Sequence, residues 1–144
     1  MLVTKIEVLF NKFQEGFNHF DLVKVIDCYH VPCTLNTPDK MSLINTTGEL
    51  ENEVDGIFAQ LVNEHFVSFQ LTNTSFMRLT DELIFVNMDW KFIDKHDQIF
   101  SEFSAFYHLT IKDKKLKIIN VSSHQISNGK SLGIPFSLSI EHQI

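Results

Sequence analysis

Residues 83–125 read LIFVNMDWKFIDKHDQIFSEFSAFYHLTIKDKKLKIINVSSHQ, and the alternation of their apolar residues decides the fold. Val86, Met88, Trp90 and Phe92 recur every second residue, the spacing that places side chains on one face of a β-strand. Two polar interruptions, Lys95 with His96 and Asp113 with Lys114, are short enough to be hairpin turns. Upstream, VSFQLTNTSFMRL at 67–79 has the same period and is set off by TDE at 80–82. Four long antiparallel strands are therefore expected.

The turns fix a register. A turn at Lys95 and His96 pairs Phe92 with Ile99, Trp90 with Ser101, Met88 with Phe103 and Val86 with Ala105. These share one side of the sheet, whereas Asn87, Asp89, Lys91, Glu102 and Ser104 take the other. A turn at Asp113 and Lys114 pairs Leu109 with Ile118, Tyr107 with Asn120, Ala105 with Ser122 and Phe103 with His124. In that register the polar residues of KLKIINVSSHQ point inward beside Trp90, Met88 and Phe103. Buried polar groups without partners are costly, so a cavity holding water or a ligand is expected there. A slip of one residue would turn all of them outward.

The first half of the chain supplies the cover for this sheet. Ile6, Phe10, Phe13, Phe17 and Phe20 fall at steps of three and four, one face of a helix over residues 3 to 20. Asp21 is placed to cap a short helix in LVKVIDCYH that Pro32 stops. Cys33 to Asn36 reads as a short strand, TPDK as a turn and MSLIN as a second short strand. Thr46 followed by Glu49 has the form of a capping box. Leu50, Val54, Ile57, Phe58, Leu61, Val62 and Phe66 continue as the stripe of a long packing helix. Gly56 within it suggests close approach of another backbone.

This order of elements resembles the nuclear transport factor two-like superfamily, in particular its SnoaL-like proteins. FNHFDLVKVIDCYHVPCTLN is similar to the segment where an apolar helix meets Asp-Leu, a short helix and the first strand. KLKIINVSSHQ is similar to the last strand. The resemblance covers residues 1 to about 125 and implies an α+β fold, a cone-shaped barrel. Its curved antiparallel sheet, four long strands plus one or two short ones, wraps a long helix, with two further helices packed on it. It also implies a pocket open at one end, dimers formed through the sheet, and activities that include polyketide cyclases, ketosteroid isomerases and dehydratases. Leu116 stands where that last strand commonly has an aromatic residue, and Asn120 and Ser122 where His is frequent. The isomerases use a pocket carboxylate, and the inward face of the expected sheet has none.

A chain of 144 residues with 44% apolar composition is enough for one core. The expected organisation is a cone domain over 1–126 and a tail over 127–144 that forms an arm or an extra strand. A net charge of −6 without a basic stripe disfavours nucleic acid. Charges threaded through MLVTKIEVLFNKF argue against a secretory segment, and no run approaches the roughly 18 apolar residues of a membrane span. A soluble, cytoplasmic protein without membrane or nucleic-acid partners is expected. Cys28 and Cys33 read as small buried thiols. The seven His residues lack metal-ligand spacing, so no metal or other cofactor is expected.

Tyr107 and His124 are the candidates for chemistry, since an imidazole can move a proton and a phenol can stabilise an oxyanion. His124 is expected as general base or acid, and Tyr107 with Asn120 as oxyanion donors. Trp90, Met88, Phe103, Ser122 and Tyr29 are the expected ligand-binding residues. Two functions follow. One is an isomerase, cyclase or dehydratase acting on a small hydrophobic, ring-containing molecule. The other is a noncatalytic dimeric binding or assembly module. For the dimer, the outer face with Phe85, Phe100 and Phe106 beside Asn87 and Ser104 is the expected contact.

Overall fold

The computed structural model describes residues 1–125 and 137–138; the expected boundary at 126 and the rest of the tail lie outside the described residues. The elements run α1 (Leu2–Asn18), α2 (Leu22–Ile26), β1 (Tyr29–Thr37), β2 (Lys40–Ile44), α3 (Thr47–Asn63), β3 (Phe66–Arg78), β4 (Leu83–Asp94), β5 (Ile99–Lys112) and β6 (Lys115–Gln125). No helix among the described residues is long and apolar enough to cross a membrane.

Helix α1 buries Ile6, Leu9, Phe10, Phe13 and Phe17 along one face. It ends where Phe20 takes a left-handed φ of 51° and the Asp21 N–H donates back to the Gly16 carbonyl at 2.8 Å. Asp21 then caps α2, its Oδ1 accepting from the Lys24 N–H at 3.2 Å. Helix α2 stops at Ile26, well before Pro32, because the Ile118 N–H donates to the Cys28 carbonyl at 2.9 Å and draws the chain into the sheet. Strand β1 is accordingly longer than Cys33 to Asn36, and Tyr29 opens it opposite Ile118. A tertiary pairing has overridden the local helical pattern.

The close backbone approach expected at Gly56 occurs at Gly16 instead. A Cβ on Gly16 would lie 2.6 Å from Val25 Cγ2 and 3.1 Å from Val25 N, whereas at Gly56 nothing comes within 4 Å. Val25 is fully buried and β-branched, so it has no alternative rotamer to retreat into. Gly16→Ala is therefore expected to cost about 1–3 kcal/mol through overpacking. Gly56→Ala, in an exposed turn of α3, is expected to add about 0.5–1 kcal/mol by removing backbone freedom from the unfolded chain. Urea denaturation of the two variants checks both signs.

Thr46 Oγ1 accepts from the Glu49 N–H at 3.1 Å, and Glu49 Oε2 accepts from the Asn45 N–H at 2.9 Å. The capping box forms with its return arm reaching one residue further out than the standard arrangement. Leu50, Val54, Phe58 and Leu61 are the buried stripe of α3, while Val62 at its flank is exposed.

Six strands form one curved sheet in the order β2-β1-β6-β5-β4-β3. All neighbours are antiparallel except β1 and β6, which run parallel. The fold is α+β, with α1 and α3 contributing to a single core on the inner face. Between β4 and β5 the pairs are Phe92 with Ser101, Trp90 with Phe103, Met88 with Ala105 and Val86 with Tyr107. This is two residues from the expected register. Asp94 organises a longer connection than a two-residue turn, its Oδ1 accepting from the N–H groups of His96 at 2.8 Å and Gln98 at 3.0 Å. Phe100, the extra residue of a bulge between Ile99 and Ser101, lies 5.9 Å from Phe92, against the core rather than on the outer face. A shift of two preserves parity, so Val86, Met88 and Trp90 remain buried.

Strands β5 and β6 behave differently. Asp113 (φ 50°) and Lys114 (φ 67°) both have positive φ, the backbone of a two-residue hairpin turn, and Leu109 pairs with Ile118 as expected. One residue later the register shifts: Asn120 pairs with His108, Val121 with Tyr107, Ser122 with Phe106, Ser123 with Ala105 and His124 with Ser104. Ile119 is the extra residue of a β-bulge, and one extra residue exchanges the two faces for the rest of the strand. Asn120, Ser122 and His124 consequently face outward. Val121 and Ser123 face in.

Candidate functional site

A cavity of about 440 Å³ lies between the inner face of the sheet and helices α1 and α3. Phe13 and Phe17 from α1 and Ile57 from α3 form one side. Trp90 and Phe92 from β4, Phe103 and Tyr107 from β5, and Tyr29 and Leu35 from β1 form the other. Trp90 and Tyr107 are 2% and 3% exposed and mark its buried end. Its rim is polar, with Thr37, Lys40, Asn52 and Gln60 exposed.

The rings hold one another in place. Trp90 stacks on Phe103 with centroids 6.2 Å apart and 12° between planes, and meets Phe13 at 5.9 Å. Tyr107 meets Phe10 edge-on at 4.9 Å and Phe13 at 6.0 Å. Such contacts leave little rotational freedom to any ring. Burial pushes the Tyr107 phenol well above its ordinary pKa of 10.0, against a smaller lowering by the nearby Trp90 N–H. That N–H is close enough to ease phenol ionisation but falls short of hydrogen-bond geometry, and Trp90 Nε1 has no partner among the described residues. The Tyr29 phenol is raised too, by burial first and by its neighbour Tyr107 second. Both phenols are neutral at physiological pH and can donate.

Of the residues expected to form the site, Tyr107, Trp90, Phe103 and Tyr29 come together in the wall. Met88 shares their face but is enclosed in the core and does not line the cavity. Asn120, Ser122 and His124 do not belong to it, because the bulge at Ile119 turns them away. Asn120 Oδ1 instead accepts from Thr34 Oγ1 at 2.6 Å and Asn36 Nδ2 at 2.8 Å, tying β6 to β1. His124 Nδ1 lies 2.8 Å from the carbonyl of its neighbour Gln125, and Ser122 faces Phe106. Asp89 pairs with Ser104 and Glu102 with Lys91 on the outer side.

The rim contributes groups that strand parity alone could not find. Glu53 of α3 is the one carboxylate in the wall among the described residues. Its Oε1 lies 3.5 Å from Lys40 Nζ and accepts from Ser42 Oγ at 3.4 Å. The signal for Glu53 is its position three residues after Leu50 and four before Ile57, beside the buried stripe of α3. For Ser123 it is the change in the apolar residues of β6, which fall at even numbers through Ile118 and at an odd one at Val121. Cys28 and Cys33 are free, buried thiols that burial pushes up to about 11, a setting in which thiols are inert. No cluster of three or more metal-ligating side chains occurs among the described residues.

Residues 4–126 match the family model of the NTF2-like protein DUF6841. The chain belongs to this NTF2-like family. Solved structures with the same fold include an NTF2-like protein with a cystatin-like fold from Novosphingobium aromaticivorans, 5% identical, with a TM-score of 0.73 over 88% of this chain and 82% of that one. A provisionally assigned NTF2-like dehydratase from Streptomyces avermitilis is 12% identical, with a TM-score of 0.68 over 86% of this chain and 95% of that one. A provisionally assigned calcium/calmodulin-dependent protein kinase II association domain from Xanthomonas campestris is 16% identical, with a TM-score of 0.66 over 86% of this chain and 87% of that one. No curated protein matches the sequence. At these identities the likeness establishes the NTF2-like fold, and function has to be argued from the site.

Proposed function

We propose that this NTF2-like protein binds a small, flat, hydrophobic molecule containing at least one ring. The observation that carries the reading is the cavity of about 440 Å³, within the range of roughly 300–1,000 Å³ common to small-molecule sites. It is walled by aromatic rings and has a few polar groups at its two ends. Turnover in the manner of an isomerase, cyclase or dehydratase would draw on Glu53 as the proton-transferring group and Tyr107 as an electrophilic donor. His124 has no part in it.

Trp90 is the only tryptophan of the chain, so its fluorescence reports on this wall alone. Titration with neutral bicyclic and tricyclic molecules is expected to change that fluorescence and to raise the melting temperature. Stabilisation reaches about 2.7 kcal/mol when ligand stands at about 100 times its Kd. Neither signal changing with any of them would reject the reading.

A second reading, association of two copies through the outer face of the sheet, has its own support. Met77, Phe85, His108, Asn120, Thr34 and Leu43 are paired one to the next across β3, β4, β5, β6, β1 and β2. Met77 and Leu43 are more than 60% exposed, and His108 Nε2 is buried without a partner among the described residues. A covering surface would bury the first two. Elution of the full chain as a monomer at micromolar concentration would count against this association without touching the cavity.

A further inference from the structure

Charge enters the cavity wall at its mouth, through Lys40 of β2 and Glu53 of α3, and the two are unequally fixed. Glu53 stands on a helix with its side chain 28% exposed, whereas Lys40 is 66% exposed at the start of a short edge strand and has a long, flexible stem. Their contact is loose. Lys40 Nζ lies 3.5 Å and Ser42 Oγ 3.4 Å from the same carboxylate oxygen, Oε1, where a charge-assisted hydrogen bond closes to about 2.7–2.9 Å. A carboxylate offers about four acceptor positions, so Glu53 has capacity to spare. Beside it the flank of α3 is bare: Gly56 also lines the cavity, and a Cβ there would meet nothing within 4 Å. A ligand group can therefore come alongside Glu53 from the mouth.

The surroundings decide the sign of that group. Helix α3 carries Glu49, Glu51, Glu53 and Asp55 and no lysine or arginine, and the chain as a whole carries −6, so the potential at the mouth favours cations. Trp90, Phe92 and Phe103 line the cavity with aromatic rings, whose faces attract cations and not anions. Lys40 opposes a second cation, yet a pair this exposed holds its partners weakly, and Lys40 can turn into water. We infer that Glu53 is a cation subsite at the cavity mouth, and that the ring molecule bound there carries a protonated amine at its outer end. The ammonium takes the place of Lys40 Nζ on Glu53 while the ring occupies the aromatic wall. This rests on the proposed binding of a hydrophobic ring molecule and adds the group that molecule carries.

The test uses the full chain and three probes that share a bicyclic ring and differ in the group at the end of its side arm: tryptamine, tryptophol and indoleacetate, which are cationic, neutral and anionic at neutral pH. Kd is measured by calorimetry. The wild-type protein is expected to bind tryptamine about tenfold or more tightly than tryptophol, and indoleacetate most weakly. Added salt is expected to narrow the preference for tryptamine, a readout that needs no variant. In Glu53→Gln, which keeps the shape of the side chain and removes its charge, the preference is expected to fall towards unity. In Lys40→Gln, which removes the competing ammonium, it is expected to widen. Tryptophol bound as tightly as tryptamine in the wild type overturns the cation subsite while leaving the binding reading intact. So does a preference for tryptamine that survives in Glu53→Gln or shrinks in Lys40→Gln. Indoleacetate binding most tightly overturns it as well, since Lys40 would then hold the ligand. Binding of none of the three overturns both readings.

Discussion

Ser123→Phe is expected to weaken binding of any cavity ligand by about 100-fold or more, while Ser122→Phe leaves affinity unchanged. Ser123 faces Ala105 on the inner side of the sheet and lines the cavity, so a ring there occupies volume that the ligand needs. Its neighbour faces Phe106 on the outer side. About 100-fold corresponds to about 2.7 kcal/mol, within reach of a substitution that makes ligand and side chain compete for the same space. Calorimetric titration of both variants with a ligand that moves Trp90 fluorescence measures the contrast. His124→Ala belongs with Ser122→Phe, and any loss of binding on its part would require His124 to face the cavity.

Trp90→Ala is expected to cost about 3–5 kcal/mol of stability, the range for removing a large buried aromatic side chain. Its ring packs against Phe69 at 4.8 Å, Phe13 at 5.9 Å and Phe103 at 6.2 Å, and so joins β3, α1 and β5 through one residue of β4. Because it already borders a cavity, the void left by truncation merges with existing space, and the surrounding rings gain nothing by collapsing into it. Such a loss is a large share of the roughly 5–15 kcal/mol that holds a domain of this size together. Urea unfolding followed by circular dichroism measures it without relying on the tryptophan. A loss under about 1 kcal/mol would mean that Trp90 does not join these elements.

Much of this architecture is legible in the sequence because alternation is strict where it matters. In β4 every second residue from Ile84 to Trp90 is buried, and an error of two in the register of its hairpin leaves that face unchanged. The helices are legible for the same reason, since Phe10, Phe13 and Phe17 or Leu50, Val54 and Phe58 admit only one buried face. What alternation cannot convey is a residue that does not count. Ile119 looks like one more apolar strand residue, yet it is the extra member of a bulge, and after it the polar residues that seemed to point inward point out. Phe100 misleads in the same way. The aromatic part of the site, Tyr29, Trp90, Phe103 and Tyr107, was readable from parity and element order. Glu53, Lys40 and Ser42 were not, because they enter the cavity from a helix flank and a short strand whose positions follow from the folded sheet.

The bulge at Ile119 is the claim on which the site depends, and side-chain proximity across β5 and β6 tests it directly. In a nuclear Overhauser experiment on methyl-labelled protein, the Val121 methyl groups are expected to show cross-peaks to the Tyr107 ring, with the Asn120 side-chain amide showing none. Cross-peaks from Tyr107 to the Asn120 amide, with Val121 seeing only His108 and Phe106, would contradict the account and return Asn120 and His124 to the cavity.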